Sequence, residues 1–311
     1  MKSLSLIGSI SMMLLTTACG AHHTNKVENS QPTNSVKVGH YKPVGNEGNS
    51  SGDWAWNEHI PWNDWSFNMT DTKSAKGNLS QRFELRNGDC TVREDGSEGT
   101  FGCRTGRERA EVIGKRFRRG VDQWWGFSVM MDDEWNTLEN NHCTSIFQIK
   151  QTENVNQSNH QSKDWNNHYI GVHSVAAGYV CGDTVGVQLF KTGYDEGKSK
   201  FSGWVDFQFI PIVPVDAIRG QWNDIVIHWD TTDYKNQYSN FEIFVNGNKV
   251  GQWENITSNY FPTNYMFKYG PYRSHMKSRG VVSDTQVIYF DEMRFGNSYE
   301  EVTPAGKAAI D

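Results

Sequence analysis

Apolar and polar side chains alternate along most of this chain in short runs. In TSIFQIK (144–150), Phe147 and Ile149 occupy one set of positions while Gln148 and Lys150 occupy the other. Successive side chains point to opposite faces of a β-strand, so this period predicts strands with one face in a core and one in solvent. The runs that fit are QRFELR (81–86), RERAEVIGKRF (107–117), WWGFSVMM (124–131), TSIFQIK, HYIGVHSV (168–175), TVGVQLF (184–190), WNDIVIHW (222–229), FEIFV (241–245) and TQVIYFDEMRF (285–295). Each is bounded by Gly, Asn, Asp or Pro, which break strands and form turns. In FEIFVNGNKVGQW, Asn246-Gly247 predicts a tight hairpin. No internal repeat and no long helical period interrupts the series. The pattern predicts an all-β fold, a two-sheet jelly-roll sandwich forming one domain over residues 53–311.

The N-terminal end is built differently. A lysine precedes an apolar stretch from Leu4 to Leu15, too short to cross a bilayer and suited to an export signal. The stretch leads through LTTAC to Cys19, which resembles a bacterial lipoprotein cleavage site, so residues 1–18 are expected to be a signal peptide. Residues 19–52, rich in Asn, Ser, Lys, Gly and His, read as a polar tether, lipid-anchored if Cys19 is modified and otherwise simply flexible. The mature protein is expected outside the cytoplasm, as an outer-membrane lipoprotein or a secreted bacterial protein. A membrane would be touched only through that lipid. The segment DWAWNEHIPWNDWSF carries Trp54, Trp56, Trp62 and Trp65, read as packing of the first strand onto a sheet.

Composition narrows the functional classes. The chain of 311 residues carries 36 acidic and 30 basic side chains, a formal charge of −6, which argues against a general nucleic-acid binder. Of the 5 cysteines, Cys19 belongs to the export segment and the other four suit an exported protein with two disulfides. The favoured pairing is Cys90–Cys103 and Cys143–Cys181, the short Cys90–Cys103 loop contributing about 3 kcal/mol in the chain-entropy model.

Positive charge is concentrated. Arg104, Arg107, Arg109, Lys115, Arg116, Arg118 and Arg119 fall in one segment with only Glu108 and Glu111, and Lys268, Arg273, Lys277 and Arg279 fall in another with no acid. Two cationic strands in an acidic protein suggest a groove for an anionic polymer. By alternation, Arg107, Arg109 and Glu111 share one strand face, as do Gln148 and Lys150. In YMFKYGPYR, Tyr265 and Lys268 fall on opposite faces, and Gly270-Pro271 is expected to turn the chain before Tyr272 and Arg273.

The order R-x-E (Arg109 to Glu111), Q-x-[HK] (Gln148 to Lys150) and Y-x-F-K-x-G-x-Y (Tyr265 to Tyr272) resembles the jelly-roll polysaccharide lyases of concanavalin-like fold, which include alginate, glucuronan and heparin lyases. The resemblance covers about residues 80–296. Alginate lyases of this fold usually carry histidine in the Q-x-H position. Lys150 in that place is similar to the ulvan lyases, whose substrate is a sulfated polymer of rhamnose 3-sulfate with glucuronic or iduronic acid.

The resemblance implies β-elimination. A lyase removes the C5 proton of a 4-linked uronate and expels the 4-linked oxygen, leaving an unsaturated sugar. That requires a neutralised carboxylate, a base near C5 and a proton donor at the leaving oxygen. Arg109 or Arg107, with Gln148, would stabilise the carboxylate, and Tyr272 and Lys150 would exchange the protons. The catalytic candidates are therefore Tyr272, Lys150, Arg109 and Gln148. The substrate-binding candidates are Arg107, His168, Lys268, Arg273, Tyr265 and Tyr194. His173 and His228 are further acid–base candidates, His228 being read foremost as a packing residue. No cofactor is required; the architecture could hold a structural calcium ion, but no acidic loop offers an evident ligand set, and a monomer is expected. The alternatives are an alginate or glucuronan lyase of the same fold and a non-catalytic, lectin-like carbohydrate-binding module. No pair of carboxylates suits a glycosidase.

Overall fold

The computed structural model describes residues 55–59, 63–89, 106–117, 120–138, 142–151, 174–195, 200–233, 239–256, 265–274, 276 and 280–309. The chain separates into two units, Met1–Thr33 and Asn34–Asp311, and every described residue belongs to the second. The expected signal peptide and tether, His168, His173 and the Cys90–Cys103 pair lie outside the described residues.

Fifteen strands, a 3-10 turn over Val215–Ala217 and one short α-helix are described, and the strands form two antiparallel sheets. One contains β1 (Ala55–His59), β4 (Glu108–Arg109), β5 (Glu111–Phe117), β7 (Cys143–Gln151), β8 (Ser174–Cys181), β9 (Thr184–Asp195), β10 (Lys200–Pro214) and β14 (Tyr265–Arg273). Its order is β1-β5-β14-β7-β8-β9-β10, with β4 also paired to β14. The other contains β2 (Phe67–Thr70), β3 (Ser80–Leu85), β6 (Asp122–Met131), β11 (Asn223–Asp230), β12 (Ser239–Val245), β13 (Asn248–Ile256) and β15 (Gln286–Gly296), in the order β13-β12-β11-β6-β15-β3-β2. The two-sheet sandwich is as expected, and Asn246-Gly247 joins β12 to β13 with both residues at positive φ.

Alternation builds the core between the sheets. Phe147 and Ile149 from β7, Tyr265, Phe267 and Tyr269 from β14, Phe127 and Val129 from β6, and Phe83 and Phe290 from β3 and β15 are all fully buried in one cluster. Aromatic rings cross the gap. Phe127 lies 6.0 Å from both Phe147 and Phe267, and Tyr269 lies 5.7 Å from Phe83 and 5.2 Å from Phe290. Such pairs add about 0.5–1.5 kcal/mol each beyond the area they bury. The helix α1 (Tyr299–Val302) follows β15, with Ser298 accepting the Glu301 N–H as its cap.

The strand boundaries depart from expectation in three places. The predicted run RERAEVIGKRF is two strands, interrupted where the Ala110 N–H donates to the Pro271 carbonyl at 2.9 Å. The strand expected over 168–175 is described only from Ser174, and it continues to Cys181. The long strand β10 is not among the predicted runs, and it carries Pro211 and Pro214, residues unsuited to the interior of a sheet. It lies at the sheet edge, where a missing N–H breaks no ladder.

Candidate active site

The outward face of the first sheet collects the three sequence motifs on adjacent strands. β14 runs between β5 and β7, with Lys268 opposite Gln148 and Met266 opposite Lys150. β4 joins the other side of β14, with Arg109 opposite Tyr272. R-x-E, Q-x-K and the late tyrosine therefore meet across β4, β5, β14 and β7 although more than a hundred residues separate the first from the last. Gln148 and Lys150 point away from the core because Phe147 and Ile149 point into it.

The end of β14 needs a special backbone. Gly270-Pro271 does not turn the chain, contrary to expectation; β14 runs on to Arg273, and its register against β7 slips between Tyr269 and Tyr272. This is a bulge, which re-aims the side chains beyond it. Gly270 sits at φ +107°, and a Cβ there would stand 2.2 Å from the Ala110 carbonyl oxygen. The strand β7 slips in turn against β8 between Ser145 and Phe147. Ser145 is thereby opposite both Tyr272 and Tyr179. Cys143 and Cys181 stand opposite one another at the end of that same pair and form the expected disulfide.

At the floor of the site lies a buried polar cluster. Glu111 is fully buried; its Oε2 pairs with Lys268 Nζ at 2.6 Å and its Oε1 accepts from Gln148 Nε2 at 2.5 Å. The amine of Lys150 is held well below the ordinary lysine range, at about 7, first by burial and then by the Lys268 cation, with Arg109 and Arg107 adding and Glu111 opposing. Burial disfavours the charged ammonium and neighbouring cations disfavour it further.

Tyr272 is placed under the two arginines. The Arg109 guanidinium lies 4.9 Å from the centre of its ring, and Arg107 hydrogen-bonds its side chain. Burial still pushes the Tyr272 phenol up, against the pull of Arg109 and Arg107. Tyr179 is pushed up as well, by burial and by Tyr272 and Glu111 beside it. Both phenols therefore hold their protons at neutral pH, while the Lys150 amine is divided between its two forms.

Two substrate-binding candidates face away from the site, and a third is buried beneath it. Tyr265 is fully buried in the core, stacked 5.7 Å from Phe117 and edge-on to Trp229 at 4.8 Å. Arg273 is fully buried and paired with Glu108 at 2.8 Å. Lys268 does point to the site face, but it is only 1% exposed beneath it. Tyr194 lies in β9, and its side chain is outside the described residues. His228 belongs to the other sheet, stacked 3.8 Å from Trp124 between Glu242 and Asp122. Two site-face residues, Tyr179 and Glu111, received no role from the sequence. For Glu111 a signal existed, a single carboxylate sharing its strand face with two arginines. For Tyr179 there was none, since its strand was expected to end before it. Among the described residues no group of three or more His, Cys, Asp or Glu side chains could hold a metal ion.

The sequence matches the polysaccharide lyase family profile over residues 45–294. No curated protein sequence matches the chain significantly. Among solved structures, an endo-β-1,4-glucuronan lyase from the fungus Trichoderma reesei is similar with a TM-score of 0.58 at 17% identity, over 84% of this chain and 98% of that one. An alginate lyase from Klebsiella pneumoniae gives a TM-score of 0.46 at 12% identity, over 76% of this chain and 86% of that one. A marine alginate lyase from Zobellia galactanivorans gives 0.44 at 13%, over 80% and 85%. The profile spans nearly all of a sandwich whose outward face brings together a lysine, a tyrosine and two arginines, and on that ground this chain belongs to the polysaccharide lyase family.

Proposed function

We propose that this lyase cleaves a polymer containing 4-linked glucuronate or iduronate by β-elimination, with ulvan as its substrate, and that Lys150 and Tyr272 exchange the protons. The observation that carries the reading is the difference between these two groups. Lys150, at about 7, has an amine able to accept a proton at neutral pH, whereas the raised Tyr272 phenol has one to give. The lone pair of Lys150 takes the C5 proton, the C4–O bond breaks as the C4=C5 bond forms, and the Tyr272 phenol protonates the departing oxygen. The resulting ammonium and phenolate return to their starting forms by exchange with water. Arg109 and Arg107 neutralise the uronate carboxylate and the charge that develops on it, which is where fixed cations lower the barrier most. Gln148, oriented by Glu111, adds a polar contact.

The choice of ulvan rests on the lysine of the Q-x-K motif and on stereochemistry. In glucuronate the C5 proton and the leaving oxygen lie on the same side of the ring; in iduronate they are opposed. A site with two separate proton-exchanging groups suits a polymer holding both. Glucuronan is the second reading, favoured by the sandwich shared with the fungal glucuronan lyase. The export signal and Cys19 lipid belong to the same picture, since such polymers are met outside the cell.

The purified protein should be offered ulvan, glucuronan, alginate and heparin while the ultraviolet absorbance of unsaturated uronates is followed. Absorbance rising with ulvan supports the first reading, and a rise with glucuronan alone supports the second. Tyr272→Phe should lower turnover by about 10²–10⁴-fold, the usual worth of a positioned acid or base. No absorbance change with any uronate polymer, or normal turnover in folded Tyr272→Phe, would sink the proposal.

A further inference from the structure

Lys268 was expected to meet the polymer, and its surroundings give it other work. Opposite Gln148, with Met266 opposite Lys150, it stands diagonal to Lys150 on the same sheet face. Diagonal neighbours of this kind are within reach of long side chains. The Lys268 side chain is 2% exposed and that of Glu111 1%, at a separation of 2.6 Å. Glu111 uses its second oxygen to hold Gln148. One buried carboxylate thus fixes a cation and an amide beside the base. Were Lys268 to swing out to a substrate, Glu111 would be left as a buried charge without this partner, which is strongly unfavourable.

We propose that Lys268 is a positioning residue for the elimination: clamped by Glu111 beneath the site, it acts on the reaction through Lys150 and not by contact with the polymer. The inference rests on the reading of Lys150 as proton acceptor. A fixed cation raises the free energy of a nearby ammonium and leaves a neutral amine almost untouched, so it favours the form that carries the lone pair. The charged groups of the described residues acting on Lys150 are Lys268 on β14, Glu111 on β5, Arg109 on β4 and Arg107 just before it. The phenols of Tyr272 and Tyr179, on the strands either side of β7, are protonated and uncharged at neutral pH. Glu111 alone would pull the Lys150 proton on. Lys268 reverses that pull.

Two measurements on the full-length protein test this. One is the pH profile of kcat/KM on the cleaved polymer; the other is titration of the Lys150 amine by 15N NMR, its signal assigned by loss in Lys150→Arg. Activity should rise with pH as Lys150 loses its proton. In Lys268→Gln the acid limb and the NMR midpoint should both move up by about one pH unit or more. The loss at neutral pH, about fivefold or more, should be regained at higher pH. Lys268→Arg keeps a cation in place and should hold both midpoints near those of the wild type. If Lys268→Gln fails to fold, Glu111→Gln serves instead and should move both midpoints down. An NMR midpoint that stays put in folded Lys268→Gln overturns the inference and leaves the proposed function standing. A shifted NMR midpoint with an unmoved acid limb overturns the role of Lys150 as base. A raised KM at every pH with no shift in either midpoint means that Lys268 touches the polymer, and again the inference fails.

Discussion

Arg273 donates to the backbone carbonyls of Asp284 at 3.0 Å and Arg86 at 2.9 Å while pairing with Glu108. Its neighbour Tyr272 faces the site. Adjacent residues on a strand point to opposite faces, so two positions in one cationic motif take unrelated tasks. Arg273 ties the end of β14 to the segments after β3 and before β15. Arg273→Met should remove those ties and leave Glu108 a buried carboxylate without its cation. Removing one partner of a buried pair costs about 3–5 kcal/mol, which in a domain of this size lowers Tm on the order of 10 °C. Thermal melts should show the loss, with KM of the folded protein unchanged. A raised KM with an unchanged Tm would instead return Arg273 to the substrate groove.

The strands β14 and β7 carry the site because both depart from regular register near Tyr272. Gly270 makes the first departure possible, since its positive φ and its contact with the Ala110 carbonyl leave no room for a side chain. Gly270→Ala should force the bulge to move and carry Tyr272 with it. A displacement of about 1 Å in a reacting group can cost about 10²-fold in rate. Turnover should therefore fall about that far, with a lower Tm alongside, as measured by absorbance assays and thermal melts. Full activity in that variant would show that Tyr272 does not depend on the bulge. At the far end of β7, the Cys143–Cys181 bridge fixes its register with β8. Gly178 on β8 makes room for the Phe147 ring, where a Cβ would meet the ring at 2.2 Å.

Across the whole molecule, the division of labour follows the two faces of one sheet. The inner face is a ladder of aromatic rings against the second sheet, rigid because rings crossing at 5–6 Å leave little space to rearrange. The outer face carries charge that would be intolerable inside. No described helix is long and apolar enough to cross a membrane. The lipid proposed at Cys19 has a direct test. Cys19→Ser should abolish palmitate labelling and release the protein from the membrane fraction into the soluble one. Unchanged fractionation would mean that the protein is exported without a lipid.

Alternation along the chain determined the all-β class, most of the strands and the inward direction of Phe147 and Ile149, because a period of two needs only local sequence. The motifs around Arg109, Gln148, Lys150 and Tyr272 were picked out by their resemblance to the jelly-roll lyases, and Cys143–Cys181 was the favoured pairing, which the structure forms. Which cations meet solvent was not legible. Lys268 and Arg273 look alike in a sequence, and their burial depends on Glu111 and Glu108, more than a hundred residues earlier in the chain. The bulge at Gly270 was read as a turn because glycine-proline serves both, and only the partner strands decide between them. Tyr179 joined the site through the pairing of β7 with β8. Strand pairing brings together residues distant in sequence, and the field that lowers the Lys150 amine exists only once those strands are side by side.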